Sequence, residues 1–157
     1  MAITNLQRKT MTNFKAEARY RTEHAERPIL LETAESIDLL VDALLNGPDD
    51  HNLAQLHSLN RPLLPAYGDP DHELLVGVDS VLGFGALAWM DADGNQVTLG
   101  SGEGLAQAEM YFIMGHRREF PEKSSVPLDL IRQAVKEFLL SGGKRPTCVE
   151  WQKLEYW

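Results

Sequence analysis

The chain has 157 residues, 43% of them hydrophobic and 24% charged, which fits one globular domain able to bury roughly 70% of its unfolded surface. Its single cysteine, Cys148, excludes an internal disulfide framework and any multi-cysteine zinc or iron–sulfur site, as suits a reducing compartment. The first residues lack the apolar core of a secretory signal and no run reaches the ~18 apolar residues of a membrane span, so a cytoplasmic protein with no membrane partner is expected.

Residues 1–14 are polar and mixed in charge and are expected to be disordered, ahead of a single domain over 15–157. From Lys15 to Thr22, Ala16, Ala18 and Tyr20 alternate with Glu17, Arg19 and Arg21, the period of a strand. Thr33 is placed to cap a helix whose stripe is Ile37, Leu40, Val41, Leu44 and Leu45, and Gly47-Pro48 stops it. Leu53, Leu56 and Leu59 fit a strand or a short helix, with strand favoured. Residues 73–79 and 84–91 are apolar runs bounded by Gly and Asp, hence buried strands. Asp93-Gly94 reads as a tight hairpin turn, with residues 95–101 pairing back. After a Gly-rich loop, residues 108–115 form the most β-prone segment of the chain.

Ser125 or Val126 is expected to cap a second helix, with Pro127 in its first turn and Asp129 complementing its dipole. Its buried stripe is Leu128, Ile131, Val135, Phe138 and Leu139; Gly142-Gly143 ends it and Pro146 prevents its extension. Residues 147–152 read as a final strand. The expected fold is therefore α+β, an antiparallel sheet of about five to seven strands with two main helices packed on it.

Motifs that suggest catalysis fail on their missing partners. His24-Ala25-Glu26 matches half of a zinc deaminase signature, but the Pro-Cys-x-x-Cys half is absent. Residues 91–95 begin like a calcium loop, yet Gln96 and Gly102 stand where Gly and Glu are needed, and a hairpin turn explains them better. The glycine-rich stretch 100–104 lacks the Lys-Ser/Thr of a phosphate loop, and Glu103 would repel the anion. The five histidines never adopt metal-ligand spacing, and Ser124 and Ser125 lack a nucleophile-elbow context. Cys148 reads as a packed side chain. His116-Arg117-Arg118 could grip an anion or simply end a strand in solvent; a small hydrolase or ligand-binding module using His116 and nearby acids is the rival reading. No catalytic residue, metal or cofactor is expected.

Charge is distributed unevenly. Residues 28–110 carry fourteen acids against one cation, Arg61, a net −13 within a chain of net −8. Such a segment repels a phosphate backbone, which disfavours nucleic acid, and suits a basic protein partner. The acids Asp49, Asp50, Asp69, Asp71, Glu73, Asp79, Asp91, Asp93 and Glu103 fall at predicted element ends, so several could share one rim of the sheet. A merely solubilising surface would have the same composition.

Met114-Gly115-His116, Glu119-Phe120-Pro121, Val135 with Glu137-Phe138-Leu139, Gly142-Gly143, Arg145-Pro146-Thr147 and Val149-Glu150-Trp151 form a C-terminal pattern. It resembles an immunity-protein family of bacterial polymorphic toxin systems, common in actinobacteria and typically encoded beside toxins of the nucleic-acid deaminase superfamily. Upstream, residues 28–31, Val76-Gly77-Val78-Asp79 and residues 83–87 are also similar, so the likeness runs from about residue 15. The family's pattern often has an acid where Ser125 stands. The resemblance implies inhibition of a cognate toxin by binding, without a cofactor, and a 1:1 complex is expected. The nine acids above, with Tyr67 and Trp89 as aromatic anchors if exposed, are the expected contacts. The signature residues Gly115, Phe120, Pro121, Phe138, Gly142, Pro146, Glu150 and Trp151 are expected to serve the fold, Glu150 by satisfying a buried backbone group.

Overall fold

The computed structural model describes residues 11–100 and 108–157. Strand β1 (Met11–Arg19) begins ahead of the alternating segment, at Met11. It pairs antiparallel with β2 (Ile29–Thr33) on one side and β3 (Leu53–Ser58) on the other. The pattern of β2 hides its nature: Ile29 and Leu30 are exposed and only Leu31 is fully buried, as befits the edge of a sheet.

Thr33 caps α1 (Ala34–Asn46) as expected, and the cap is reciprocal. Its hydroxyl accepts from the Ser36 N–H at 3.1 Å, and the Ser36 hydroxyl accepts from the Thr33 N–H at 3.1 Å. Ile37, Leu40, Val41 and Leu44 face the core, with Leu45 at its margin. Leu59, expected to belong with Leu53 and Leu56, lies beyond the end of β3 and is exposed.

β4 (Glu73–Asp79) and β5 (Phe84–Asp91) coincide with the two apolar runs, and β6 (Gly94–Leu99) returns through the predicted tight turn, where Asp91 pairs with Gly94. The β-prone segment forms β7 (Glu109–Ile113), but outside the main sheet, in a two-stranded ribbon with β8 (His116–Phe120). β8 gives no alternating signal because only Phe120, of its five residues, is buried. β9 (Val126–Pro127) is a two-residue strand on β5 that leads into α2 (Leu128–Leu140).

Pro127 itself, extended at φ −60° and ψ 149°, is the cap of α2, so neither Ser125 nor Val126 caps the helix and Pro127 lies just outside its first turn. The reason is local: Val126 is committed to pairing with Gly85. Ile131, Ala134, Val135, Phe138 and Leu139 are buried, and Gly142 (φ +77°) and Gly143 (φ +98°) terminate the helix in the left-handed region that glycine tolerates. β10 (Glu150–Leu154) closes the chain against β6.

The main sheet runs β10-β6-β5-β4-β3-β1-β2 with β9 attached to β5, antiparallel at every pairing. Alternation along the central strands divides the interior into two cores. Leu74, Val76, Val78, Leu87 and Trp89 face α1 and α2 in the larger one. Leu75, Ala86 and Ala88 face the β7–β8 ribbon in the smaller one, with Tyr111 and Phe120. Gly77 makes the second contact possible: a Cβ there would lie 2.7 Å from the Tyr111 ring. The molecule is thus helices, sheet and ribbon in three layers, α+β with the helices on one face.

Candidate functional site

The loop between β3 and β4 and the turn between β5 and β6 stand side by side at one end of the sheet, because β4 pairs with both β3 and β5. Between them is an open cleft of about 840 Å³ lined by His57, Arg61, Leu64, Asp69, Pro70, Asp71, His72, Glu73, Met90, Asp91, Ala92 and Asp93. Five of the acids singled out in the sequence, Asp69, Asp71, Glu73, Asp91 and Asp93, therefore meet in one concavity against a single arginine. The other four do not. Asp49 and Asp50 lie exposed in a 3-10 turn after α1, and Asp49 shares with Asp79 a separate hollow of about 380 Å³. Asp79 is occupied internally: its Oδ1 accepts from the N–H groups of Val81 and Leu82, both at 3.0 Å, and its carboxyl contacts Glu109. Glu103 lies outside the described residues.

The aromatic candidates separate as sharply. Tyr67 stands at the tip of the β3–β4 loop, 84% exposed. Trp89 is 2% exposed and cannot be an anchor; its ring lies by the Arg61 guanidinium and its indole N–H donates to Asp91 at 2.9 Å. β5 alternation turns Trp89 inward, against Phe138 and the ring of His72.

The acids of the cleft differ in how they are held. Asp71 takes both prongs of Arg61, Nε to Oδ1 at 2.8 Å and Nη2 to Oδ2 at 3.0 Å, and these bonds hold its carboxyl below the usual range. The third Arg61 bond reaches the Gly143 carbonyl at 3.0 Å, and its guanidinium lies 5.6 Å from the Trp89 ring. His72 is fully enclosed: Nε2 accepts from the Ser58 N–H at 2.8 Å, so the proton sits on Nδ1 and is donated to Asp71 at 3.0 Å. With both nitrogens engaged and its pKa lowered by burial, His72 is a neutral structural link with no free nitrogen for proton transfer. His57 is likewise lowered by burial, with Nε2 3.7 Å from Glu73, whose carboxylate also accepts from Gln55. Asp69 and Asp93 project at the mouth, both exposed. Five carboxylates thus line the cleft against one guanidinium, that of Arg61, which is engaged by Asp71.

Arg61, His57 and His72 escape a reading by motif. The available signal was that Arg61 is the only cation among fourteen acids, set at the start of a Pro- and Gly-rich loop. His116, the centre of the rival reading, stands exposed on β8. Among the described residues no group of three or more His, Cys, Asp and Glu side chains is placed to hold a metal ion.

The signature residues lie mostly in turns and cores. Gly115 turns between β7 and β8 at φ +79°, Phe120 packs edge-on against Tyr111, Pro121 follows it, and Phe138 lies under His72 and Trp89. Gly142 ends α2, and the Pro146 carbonyl accepts from the Trp151 indole at 2.9 Å. Glu150 is exposed; the backbone-satisfying role expected of it belongs to Glu137, whose carboxylate accepts from the N–H groups of Thr147 (2.5 Å) and Cys148 (3.1 Å). β10 alternation points Glu150 outward, whereas Glu137 faces the chain returning from α2.

No curated protein matches this chain. Among solved structures it is similar to a hypothetical protein from Neisseria gonorrhoeae, at 15% identity and a TM-score of 0.42 over 88% of this chain and 92% of that one. The family described as Immunity protein Imm1 matches residues 25–153, which span both helices, the whole of the acidic cleft, eight of the ten strands and all but the last residue of β10. The chain belongs to the Imm1 immunity protein family.

Proposed function

We propose that this immunity protein neutralises a cognate toxin, a nucleic-acid cytidine deaminase domain, by laying its acidic cleft over the toxin's basic substrate groove in a 1:1 complex within the cytoplasm. The observation that carries the reading is the convergence of Asp69, Asp71, Glu73, Asp91 and Asp93 on one open cleft. A groove that holds a polyanion is lined with cations, and carboxylates at this density act as phosphate surrogates for it. They accelerate encounter and occupy the groove, and no proton transfer is required of them. Family membership supports the inhibitory role; the acid-rich cleft supports the choice of a polyanion-handling toxin.

The experiment is co-purification of the chain with the toxin encoded beside its gene, followed by a deamination assay on single-stranded DNA and RNA. A stable 1:1 complex that abolishes activity is expected. No complex at micromolar concentration sinks the proposal. Asp91→Asn with Asp93→Asn should slow association severalfold and flatten its dependence on salt; an unchanged association rate moves the interface elsewhere on the protein.

A further inference from the structure

The β3–β4 loop has the construction of a preformed finger. Its neck is closed by a bridge between Leu63 and Pro70, and its tip by Leu64 N–H to the Asp69 carbonyl (2.7 Å) and Gly68 N–H to the Leu64 carbonyl (2.9 Å). Arg61 ties the base to Asp71 and to Gly143 at the end of α2, so the loop is braced against a helix from the far side of the sequence. A loop so held would be expected to tuck its apolar side chains inward. Instead Leu63 is 60% exposed, Leu64 44% and Tyr67 84%. Apolar groups left in water gain nothing for folding, but the loop backbone that carries them is already ordered when a partner arrives, which removes the backbone share of the entropic cost from binding.

We infer that this loop is the affinity anchor of the complex, inserting Tyr67 with Leu63 and Leu64 into an apolar pocket on the toxin whose rim is cationic. The inference rests on the inhibitory reading above and adds the chemistry of the partner's face. Charge complementarity supplies the rim: Asp69 on the finger and Asp91 and Asp93 across the cleft line the same concavity as Leu64, and an apolar pocket ringed by Arg or Lys is the surface that satisfies both. The two parts act on different rates. Long-range attraction by the cleft carboxylates governs association, while a desolvated aromatic in a fitted pocket governs dissociation. Tyrosine suits the role, offering a large amphipathic surface with little rotamer entropy to lose.

Surface plasmon resonance with the immobilised toxin encoded by the neighbouring gene separates these contributions. Because Tyr67 is 84% exposed, Tyr67→Ala removes little packing, and the thermal unfolding curve of the variant verifies that it folds. Tyr67→Ala, and separately Leu63→Ser with Leu64→Ser, should raise the dissociation rate at least about 10-fold while association stays within about 2-fold. Asp91→Asn with Asp93→Asn should do the reverse. Dissociation unchanged in both finger variants overturns the anchor while leaving toxin neutralisation standing. Absence of any wild-type complex overturns the inhibitory reading and the finger with it. Sedimentation of the free protein supplies the last arm: a dimer that Tyr67→Ala converts to monomer would assign the finger to a second copy of this chain and overturn the toxin pocket.

Discussion

Glu109 offers a quantitative test of the ribbon's attachment to the sheet. Its carboxyl sits where β7 meets the end of β4, accepting from the Tyr111 hydroxyl at 3.0 Å and from Ser125 Oγ at 3.1 Å, and it touches the carboxyl of Asp79. Burial, and then the contact with Asp79, push its pKa from 4.5 to about 7, while the same contact lowers Asp79. Among the described residues, Asp79 and Tyr111 are the titratable groups that face it. One proton shared between the two carboxyls is the arrangement this implies below about pH 7. The sign follows from linkage: an acid whose folded pKa lies above its unfolded value contributes stability that is complete below about pH 4.5 and is lost as pH rises to about 7. At about 1.36 kcal/mol per pKa unit the full shift is about 3 kcal/mol, which solvent access to the open side of the site reduces to about 1–2 kcal/mol.

Glu109→Gln keeps the acceptor for Tyr111 and Ser125 and supplies a permanent donor to Asp79, imitating the protonated acid. Urea unfolding followed by tryptophan fluorescence at pH 5 to 8 should show the two proteins within about 0.5 kcal/mol at pH 5. At pH 8 the glutamine variant should be the more stable by about 1–2 kcal/mol. His24, His57 and His72, all lowered by burial, impose an opposite slope, losing stability as pH falls below 6.5, but equally in both proteins. The difference curve is therefore the readout. Parallel curves across the range, or a less stable variant at pH 8, would refute the shared proton.

Three further outcomes follow from the packing. Asp71→Asn should cost about 2 kcal/mol in thermal unfolding, since it weakens a bidentate arginine and an enclosed histidine, whereas Asp93→Asn at the mouth should stay within about 0.5 kcal/mol. Gly77→Ala should cost about 1–3 kcal/mol and alter the near-ultraviolet circular dichroism of Tyr111, whose ring would have to move off the sheet; an unchanged spectrum would show that the ring does not lie there. Phe138→Ala should cost about 3–5 kcal/mol by opening a cavity beneath His72 and Trp89, measured by denaturant midpoint at constant slope.

What the sequence determined by itself was every element whose signal is local. Thr33 with the Ile37–Leu44 stripe, the runs 73–79 and 84–91, the Asp93-Gly94 turn and the Gly142-Gly143 stop all follow from hydrogen-bonding and steric preferences within a few residues. The acids of the cleft were legible in the same way, as charges at predicted element ends. Tertiary structure decided the rest. β2 and β8 carry no alternating pattern because an edge strand and a surface ribbon bury only one of their five residues each, and only a partner strand makes them strands. Trp89 and Tyr67 are both aromatic residues in an acidic stretch, but strand alternation buries one and a braced loop exposes the other. Only pairing of β4 with both β3 and β5 brings Asp69, Asp71 and Glu73 opposite Asp91 and Asp93, because the distance between two turns is a property of register and not of either turn's sequence.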